Sequence, residues 1–206
     1  MKGVLFSGGS ISDYTAPKTA IETADVVICA DSGILHAEKI GVVADVWVGD
    51  LDSVDEKHSC VDFVRLPTEK DDTDTMSAAR ILVKKGVKSV RMFGCTGTRL
   101  DHTYANLFVL KFLLDNGVSA TIEDEHNKVF LLPCGKHIVD AQCGSFLSLL
   151  PFCCEVEGLS ISGVKYPLND HTLCDSFPLG VSNQVLNEHC EIDIKKGTLA
   201  VFLSHD

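Results

Sequence analysis

Residues 90–122 read VRMFGCTGTRLDHTYANLFVLKFLLDNGVSATI, which is a short apolar run, a turn with two glycines, a helical stretch and a second apolar run. The runs Val90–Phe93 and Ala120–Ile122 are mostly apolar, as in strands that are buried on both faces. Between them, Thr103–Asn116 spaces its apolar residues three and four positions apart, and Gly117 follows as a stop signal. The segment therefore predicts a strand–helix–strand unit of a parallel sheet.

The same alternation of apolar runs and helical stretches extends back to the start of the chain. The earlier predicted strands are Val4–Phe6, Val26–Ala30, Val46–Val48 and Phe63–Leu66. The earlier predicted helices are Ala16–Ala24, Gly33–Ile40 and Thr75–Lys85. This pattern predicts an α/β domain over residues 1–124, a doubly wound, mostly parallel sheet with helices on both sides.

After about residue 125, helical periodicity disappears and short strand-like runs recur between glycines and prolines. The runs are Lys128–Leu132, Ser145–Leu150, Glu155–Ile161, Glu191–Ile194 and Leu199–Leu203. Short strands punctuated by turn residues are typical of antiparallel sandwiches. Residues 125–206 are therefore predicted to form a second domain, an antiparallel β-sandwich.

The overall charge excludes two classes of partner. Among the 206 residues there are 18 Lys and Arg against 29 Asp and Glu, a formal net charge of −11. Such a chain lacks the basic surface that nucleic acids and anionic membranes require. It also has neither a signal-peptide core nor an apolar stretch long enough to span a bilayer, so we expect a soluble, cytoplasmic protein.

The cysteines and most histidines show no pattern of a metal or redox site. The nine cysteines include no C-x-x-C pair, so we expect reduced thiols that serve as small core residues. His102 follows an acidic motif, and we expect it beside the site or in contact with substrate. The other histidines have no metal-ligand spacing and are predicted to be surface residues.

Acidic motifs follow four of the predicted strands. They are Asp31, the pair Asp50 and Asp52, the segment Lys70-Asp71-Asp72-Thr73-Asp74, and Asp101 within Gly94–His102. The carboxyl ends of parallel strands meet at one edge of a sheet, where open α/β folds bind ligands. Several carboxylates there repel one another unless a hard cation such as Mg²⁺ neutralises them.

Groups that can hold phosphate accompany these carboxylates. The backbone N–H groups of Gly94–Thr98 precede a predicted helix, and Arg99 carries a planar fork suited to phosphate. Each motif alone has a structural explanation: Asp31 or Asp74 as a helix cap, Thr73 and Asp74 as capping residues, Arg99 and Asp101 as a local ion pair. Their joint occurrence at four strand ends favours a metal–phosphate site.

At these residues the sequence resembles the thiamine pyrophosphokinase (thiamine diphosphokinase) family. The matching segments are Ala30–Gly33, Gly49–Ser53, Lys70–Asp74, Gly94–His102 with Asn106, and Leu179–Asn183. The resemblance covers nearly the whole chain in order. It implies a homodimer that transfers pyrophosphate from ATP to thiamine, with Mg²⁺, to give thiamine diphosphate and AMP.

The resemblance also implies roles for individual residues. Metal and hydroxyl-handling carboxylates would be Asp31, Asp50, Asp52, Asp71 and Asp74, with Asp52 or Asp74 as the base and Asp71 also in a catalytic role. Phosphate-binding or site-ordering residues would be Lys70, Thr73, Arg99, Asp101 and His102. Ser182 and Asn183 of the second domain would bind the thiamine ring.

Two other functions remain open from the sequence. A metal-dependent phosphohydrolase also clusters Asp residues after strands, although it usually needs a nucleophilic Asp or a His-rich two-metal cage. A nucleotide- or thiamine-binding module without catalytic activity could use the same crevice. Thiamine-dependent release of AMP distinguishes the transferase from both.

Overall fold

A computed structural model describes residues 1–50, 58–67 and 71–205. The contacts within the chain divide these residues into two compact units, Met1–Glu125 and His126–Asp206. Each unit has its own cluster of buried apolar residues.

The part of the first unit that the structure describes contains six parallel strands. Its strands are β1 (Lys2–Phe6), β2 (Val26–Ala30), β3 (Ala44–Gly49), β4 (Cys60–Arg65), β5 (Ser89–Phe93) and β6 (Ser119–Glu123). Their order is β6-β5-β1-β2-β3-β4, and every neighbouring pair is parallel. The chain thus builds outward in opposite directions from β1 and β5, so the switch point of this sheet lies between these two strands.

Within the described ranges, four α-helices accompany this sheet. They are α1 (Thr15–Glu22), α2 (Ile34–Lys39), α3 (Asp74–Lys84) and α4 (Leu100–Asp115). The sequence explains the start of α3, because the Thr73 hydroxyl accepts a hydrogen bond from Met76 N at 3.2 Å, as an N-cap residue does. Helix α4 begins before the predicted start at Thr103, since the preceding Arg99 is extended and Leu100 is already helical.

The prediction that all six parallel strands are buried on both faces is wrong for β4. Val61 is 72% exposed, and Phe63 and Val64 are also exposed. The strand lies at the edge of the sheet and pairs with β3. A continuous apolar run does not distinguish a central strand from an edge strand, because sheet order is set by contacts far apart in sequence.

The described strands of the second unit form two groups of antiparallel strands. Its strands are β7 (Asn127–Leu132), β8 (Gly135–Asp140), β9 (Phe146–Pro151), β10 (Val156–Ser162), β11 (Leu168–Leu173), β12 (Asn183–Gln184), β13 (His189–Ile194) and β14 (Leu199–Ser204). Strands β12-β9-β14-β7 are hydrogen-bonded in that order, and β11-β10-β13-β8 form a separate sheet. Leu147 and Val201 from the first group pack in one apolar core with Leu159 and Ile192 from the second. The predicted fold class, a parallel α/β sheet followed by an antiparallel sandwich, is confirmed.

Three of these strands were not predicted. Strands β8, β11 and β12 are rich in polar residues and include many exposed positions. In β8, for example, Val139 is buried while Ile138 is 72% exposed. Such strands give little local signal, because their position is fixed by pairing with β13 and other neighbours rather than by an apolar run.

The nine cysteines are all free thiols, but most do not serve the core. Cys29, Cys95 and Cys190 are buried, and burial raises the pKa of Cys95 to about 12. Five others are exposed, so the prediction that the cysteines are core residues is wrong for Cys134, Cys143, Cys153, Cys154 and Cys174. Among the described residues, no helix is long and apolar enough to cross a membrane.

The sandwich core offers a matched pair of isoleucines for a stability test. Ile161 on β10 is 3% exposed, whereas Ile138 on β8 of the same sheet is 72% exposed. We expect Ile161→Ala to lower the free energy of unfolding by about 2–5 kcal/mol, because it removes buried methyl groups and leaves a cavity. Ile138→Ala should change it by less than about 0.5 kcal/mol. Urea denaturation followed by circular dichroism measures both, and equal effects would contradict this description of the core.

Candidate active site

A cavity of about 370 Å³ lies in the first unit at the carboxyl edge of the parallel sheet. Its walls come from the segments after β1, β2 and β5 and from the first turns of α3 and α4. Strands β1 and β5 flank the switch point, so the cavity occupies the position where this class of sheet binds ligands.

Glycines allow the loops around the cavity to pack backbone against backbone. A Cβ added at Gly9 would lie closer than 3.0 Å to the carbonyl oxygens of Thr96 and Gly94, and one at Gly33 would lie as close to that of Phe6. Gly94 also has φ 65°, and a Cβ there would meet the Ser7 carbonyl oxygen. Larger residues at these positions would push the loops apart, so the shape of the cavity depends on them.

Asp31 enters the cavity wall directly after β2. Its φ of 51° is unusual for a residue other than glycine, and such conformations concentrate at functional sites. The Trp47 indole N–H donates to the Asp31 carbonyl oxygen at 2.9 Å and holds this backbone in place. Asp31 also begins the short 3₁₀ turn Asp31–Gly33, which leads into α2.

Asp74 lies in the first turn of α3. It is distant from Asp31 in sequence but lines the same cavity. The N-terminal end of a helix carries partial positive charge and favours a carboxylate there. The next residue, Thr75, is buried, and its hydroxyl lies 2.8 Å from that of Ser7 in the loop after β1. This hydrogen bond connects the start of α3 to the loop after β1.

Arg99 and Asp101 form the ion pair that the sequence left open as an alternative. Arg99 donates from Nε at 3.2 Å and from Nη2 at 2.6 Å to the two carboxylate oxygens of Asp101. This hydrogen bonding holds the pKa of Asp101 at about 2. Both side chains are exposed, so exchanging this carboxylate for a phosphate on Arg99 costs little free energy.

The side chain of Asn106, on α4, holds the turn after β5 by a hydrogen bond. Its buried side-chain amide donates to the Cys95 carbonyl oxygen at 2.8 Å and so ties α4 to the turn that contains Gly94. The segment Gly94–Arg99 lines the cavity together with His102 and Thr103. Backbone N–H groups at such a turn are suitable donors for phosphate oxygens.

The structure brings together only part of the site predicted from the sequence. The predicted residues that line the cavity are Asp31, Thr73, Asp74, Arg99 and His102. Asp50, Asp71 and Asp101 are not among the described residues that line it. Asp52 and Lys70 lie outside the described residues.

Ser182 and Asn183 belong to the second unit. Ser182 has φ 59°, and its backbone N–H donates to the Ser148 hydroxyl at 3.0 Å. The Asn183 side chain accepts from Tyr166 N at 3.0 Å and donates to the Tyr166 carbonyl oxygen at 2.8 Å. Asn183 therefore organises the segment that contains Tyr166, and Ser182 occupies a tight turn.

The donor set of the cavity fits a hard cation. Within the described ranges, no three His, Cys, Asp or Glu side chains form a group that could hold a metal by themselves. Mg²⁺ does not require such a group, because proteins commonly hold it through one or two carboxylates while substrate phosphates and waters supply the remaining oxygens. Asp31 and Asp74 provide carboxylates of this kind on the same cavity.

Two residues near the cavity were missed by the sequence analysis. Glu125 accepts hydrogen bonds from the Ser12 backbone and hydroxyl and from Asp13 N, and the Ser12 hydrogen bond is the main reason that the pKa of Glu125 is about 2. His36 was predicted to be a surface residue, but it is partly buried and hydrogen-bonded to Gly9 and Tyr14. The residues around Glu125 and His36 gave no signal for these contacts, because each contact joins segments that are far apart in the sequence.

Family models match the chain in two successive blocks. The model described as "Thiamin pyrophosphokinase, catalytic domain" matches residues 17–122. The model described as "Thiamin pyrophosphokinase, vitamin B1 binding domain" matches residues 136–199. A curated relative, the thiamine pyrophosphokinase of Bacillus subtilis (strain 168), is 26% identical in an alignment of length 186 that covers 87% of this chain and 87% of the relative.

Solved structures of similar proteins share the fold over the whole chain. The Bacillus subtilis thiamine pyrophosphokinase has a TM-score of 0.89 at 24% identity, with both chains fully covered. A thiamin pyrophosphokinase family protein from Enterococcus faecalis has a TM-score of 0.87 at 27% identity, again with full coverage of both. The enzyme from Candida albicans has a TM-score of 0.84 at 15% identity, covering 100% of this chain and 89% of its own. The resemblance inferred from the motifs is confirmed.

The backbone packing around the cavity predicts unequal effects of two glycine substitutions. Gly33→Ala should lower the free energy of unfolding by about 1–3 kcal/mol, because the new Cβ would overlap the Phe6 carbonyl group. Gly97→Ala is the matched control, since its Cβ would make only an ordinary contact, 3.9 Å from Gly9 Cα. It should shift stability by less than about 0.5 kcal/mol. Urea titrations of both variants test this, and a Gly33→Ala protein as stable as Gly97→Ala would contradict the close packing.

Proposed function

The chain belongs to the thiamin pyrophosphokinase family, and from this membership we propose how it transfers the pyrophosphoryl group of ATP to the hydroxyl of thiamine, releasing AMP. The observation that carries the proposal is the convergence of Asp31, Asp74 and Arg99 on one cavity at the switch point of the sheet. Carboxylates for a cation and a guanidinium for phosphate are the groups that a triphosphate needs in one place.

The reaction makes one bond and breaks one. The thiamine hydroxyl oxygen attacks the β-phosphorus, the bridging bond between the α- and β-phosphates breaks, and AMP leaves with the bridging oxygen. Transfers of this kind depend on positioning and on neutralising charge more than on covalent chemistry by the protein. We assign the backbone N–H groups of Gly94–Thr98 and the fork of Arg99 to the phosphate oxygens.

Carboxylates would hold the cation. We assign Asp31 and Asp74 to Mg²⁺ together with Asp50 and Asp52, which follow the next strand in the chain. When bound, Mg²⁺ supplies the positive charge that offsets both these carboxylates and the phosphates of ATP. Asp31 is held for this task by Trp47, and Asp74 by the capped start of α3.

A carboxylate would also take the proton from the thiamine hydroxyl. Asp52 and Asp74 are the two candidates for this base, and Asp71 is assigned a supporting catalytic role beside them. Four further residues would bind the phosphates or orient the groups that do: Lys70, Thr73, Asp101 and His102. Among these, the Thr73 hydroxyl caps α3 and Asp101 orients Arg99.

The second unit would bind thiamine. Its match to the vitamin B1 binding domain supports this division of substrates, and Ser182 and Asn183 supply the hydroxyl and amide at its tight turn. Homodimer formation and a cytoplasmic location, both expected from the sequence, are part of the proposal. Sedimentation of the purified chain tests the dimer.

A single assay tests the function itself. The protein is incubated with ATP, Mg²⁺ and thiamine, and the products are separated by chromatography. AMP and thiamine diphosphate in equal amounts support the transferase. Phosphate released without thiamine would point to a hydrolase, and binding of ATP or thiamine without turnover would point to a binding module.

Substituting Asp31 separates its charge from its backbone role. Asp31→Asn should lower kcat by about 100-fold and raise the Mg²⁺ concentration needed for half-maximal activity, because one carboxylate is lost. Asparagine tolerates positive φ, so the backbone should remain intact.

Asp72→Asn is the matched control for this charge change. Asp72 lies in the neighbouring acidic segment, but its carboxylate pairs with Arg80 at 2.7 Å on the exposed surface. Its Mg²⁺ titration should follow that of the unmodified protein. An Asp31→Asn enzyme with an unchanged titration would remove Asp31 from the metal site.

Ser182 provides a test of where thiamine binds. Ser182→Gly removes the hydroxyl while glycine keeps the φ of 59°. We expect the KM for thiamine to rise about two- to tenfold, the effect of one lost hydrogen bond, while the KM for ATP stays the same. Steady-state kinetics with each substrate varied in turn measures both constants. A change in the KM for ATP alone would reverse the assignment of substrates to the two units.

A further inference from the structure

The loop between β1 and α1, residues 7–14, forms one wall of the cavity through residues 7–10, whose side chains are only serine and glycine. Ser7, Gly8, Gly9 and Ser10 all line the cavity. The side chain of Tyr14, the N-cap residue of the following helix α1, accepts no hydrogen bond from the first turn of that helix. The conformation of this loop therefore depends on groups that reach it from other elements.

The imidazole of His36 is one of these groups. From α2, its Nε2 lies 2.7 Å from the Gly9 carbonyl oxygen and its Nδ1 lies 2.6 Å from the Tyr14 hydroxyl oxygen. A carbonyl oxygen can only accept, so Nε2 carries the proton and donates to Gly9. In the neutral ring Nδ1 accepts from the Tyr14 hydroxyl, and burial lowers the pKa of His36 in favour of that neutral form. One side chain thus bridges two points of the loop.

The contact with Gly9 sets the direction of a neighbouring donor. In a trans peptide the C=O of one residue and the N–H of the next point in opposite directions, and the described chain contains no cis peptide bond. Holding the Gly9 carbonyl toward His36 therefore turns the Ser10 N–H away from it. Gly9 N donates to the Gly94 carbonyl oxygen at 2.8 Å, which fixes the preceding peptide against the turn after β5.

The opposite end of the loop is held independently. Glu125, at the end of the first unit, accepts hydrogen bonds from the backbone of Ser12 and, at 3.1 Å, from Asp13 N. Between Gly9 and Ser12, the flexibility of the glycine would otherwise leave the backbone with many accessible conformations. His36 supplies the contact at Gly9, one of the residues that line the cavity.

We propose that His36 is a positioning residue for ATP, which holds the Gly9–Ser10 peptide in the orientation that presents the loop to the nucleotide phosphates. The proposal rests on the assignment of this cavity to ATP. His36 is not itself a catalytic residue, because it acts through the loop. Donors held in place before the ligand arrives bind it more tightly than donors that must be ordered on binding.

The test compares three substitutions by two measurements that do not need turnover. His36→Phe removes both hydrogen bonds and keeps an aromatic ring next to Phe6. In the unmodified protein the centroids of the His36 and Phe6 rings are 6.3 Å apart. His36→Gln retains one donor and one acceptor. Tyr14→Phe keeps the ring under Lys39, whose Nζ lies 4.5 Å from its centroid, and loses only the hydroxyl. The measurements are hydrogen exchange of residues 8–13 and binding of α,β-methylene-ATP with Mg²⁺ by calorimetry.

We expect His36→Phe to speed amide exchange in residues 8–13 and to weaken binding of α,β-methylene-ATP about two- to tenfold. His36→Gln should bring amide exchange and binding of α,β-methylene-ATP much closer to those of the unmodified protein. Tyr14→Phe should change both quantities less than His36→Phe does. Combining Tyr14→Phe with His36→Phe should add little, because both act through the same imidazole. In kinetics, the KM for ATP should rise while the KM for thiamine stays the same.

A matched control removes an imidazole elsewhere. His137 Nε2 lies 2.9 Å from the Pro133 carbonyl oxygen in the second unit, so His137→Phe loses the same kind of hydrogen bond far from this loop in sequence. Exchange in residues 8–13 and binding of α,β-methylene-ATP should match the unmodified protein.

Two results would overturn the proposal. One is unchanged exchange in residues 8–13 of His36→Phe. The other is faster exchange with unchanged binding of α,β-methylene-ATP. Failure of the proposed function is a separate result: the unmodified protein would bind α,β-methylene-ATP but release no AMP with thiamine, and the comparison of binding would still decide the role of His36.

Discussion

The close approach of backbone segments at the switch point between β1 and β5 is the constraint on which the site depends. Gly9, Gly33 and Gly94 each lie where a Cβ would overlap a carbonyl group of a neighbouring segment. This packing brings three loops to one edge of the sheet and leaves a cavity bordered by backbone groups. Side chains then add charge to this backbone frame and hydrogen bonds that hold it. The glycines are therefore structural requirements of the ligand site even though none of them carries a functional group.

Charge is distributed around this frame in a way that suits a magnesium-bound triphosphate. The chain has a net charge of −11, and Asp31 and Asp74 add carboxylates to the wall of the cavity. ATP alone would be repelled by these groups, whereas a divalent cation between them converts repulsion into attraction. Arg99 also lines the cavity and adds positive charge, and its pairing with Asp101 orients the guanidinium.

The features that could be predicted from the sequence are those with a local signal. Asp31, Asp74 and Arg99 follow or precede recognisable apolar runs, and the rule that carboxyl ends of parallel strands meet was enough to bring them together. The exposure of β4, the polar strands β8 and β11 and the partial burial of His36 depend on pairings between distant segments. His36, for example, reaches Gly9 across 27 positions of sequence, and nothing in the residues around either one indicates the contact. Such contacts can be recognised only from the three-dimensional arrangement of the strands and helices.

A transfer that relies on positioning makes these non-local contacts part of the chemistry. The attacking oxygen must approach the β-phosphorus in line with the leaving group, so displacing a phosphate by a fraction of an ångström lowers the rate without removing any catalytic group. Trp47 holds the backbone of Asp31, Thr75 connects to Ser7, and Asn106 ties α4 to the turn after β5. None of these contacts needs to touch substrate. Together they restrict the loops to one arrangement before ATP binds, so that binding energy is not spent on ordering them.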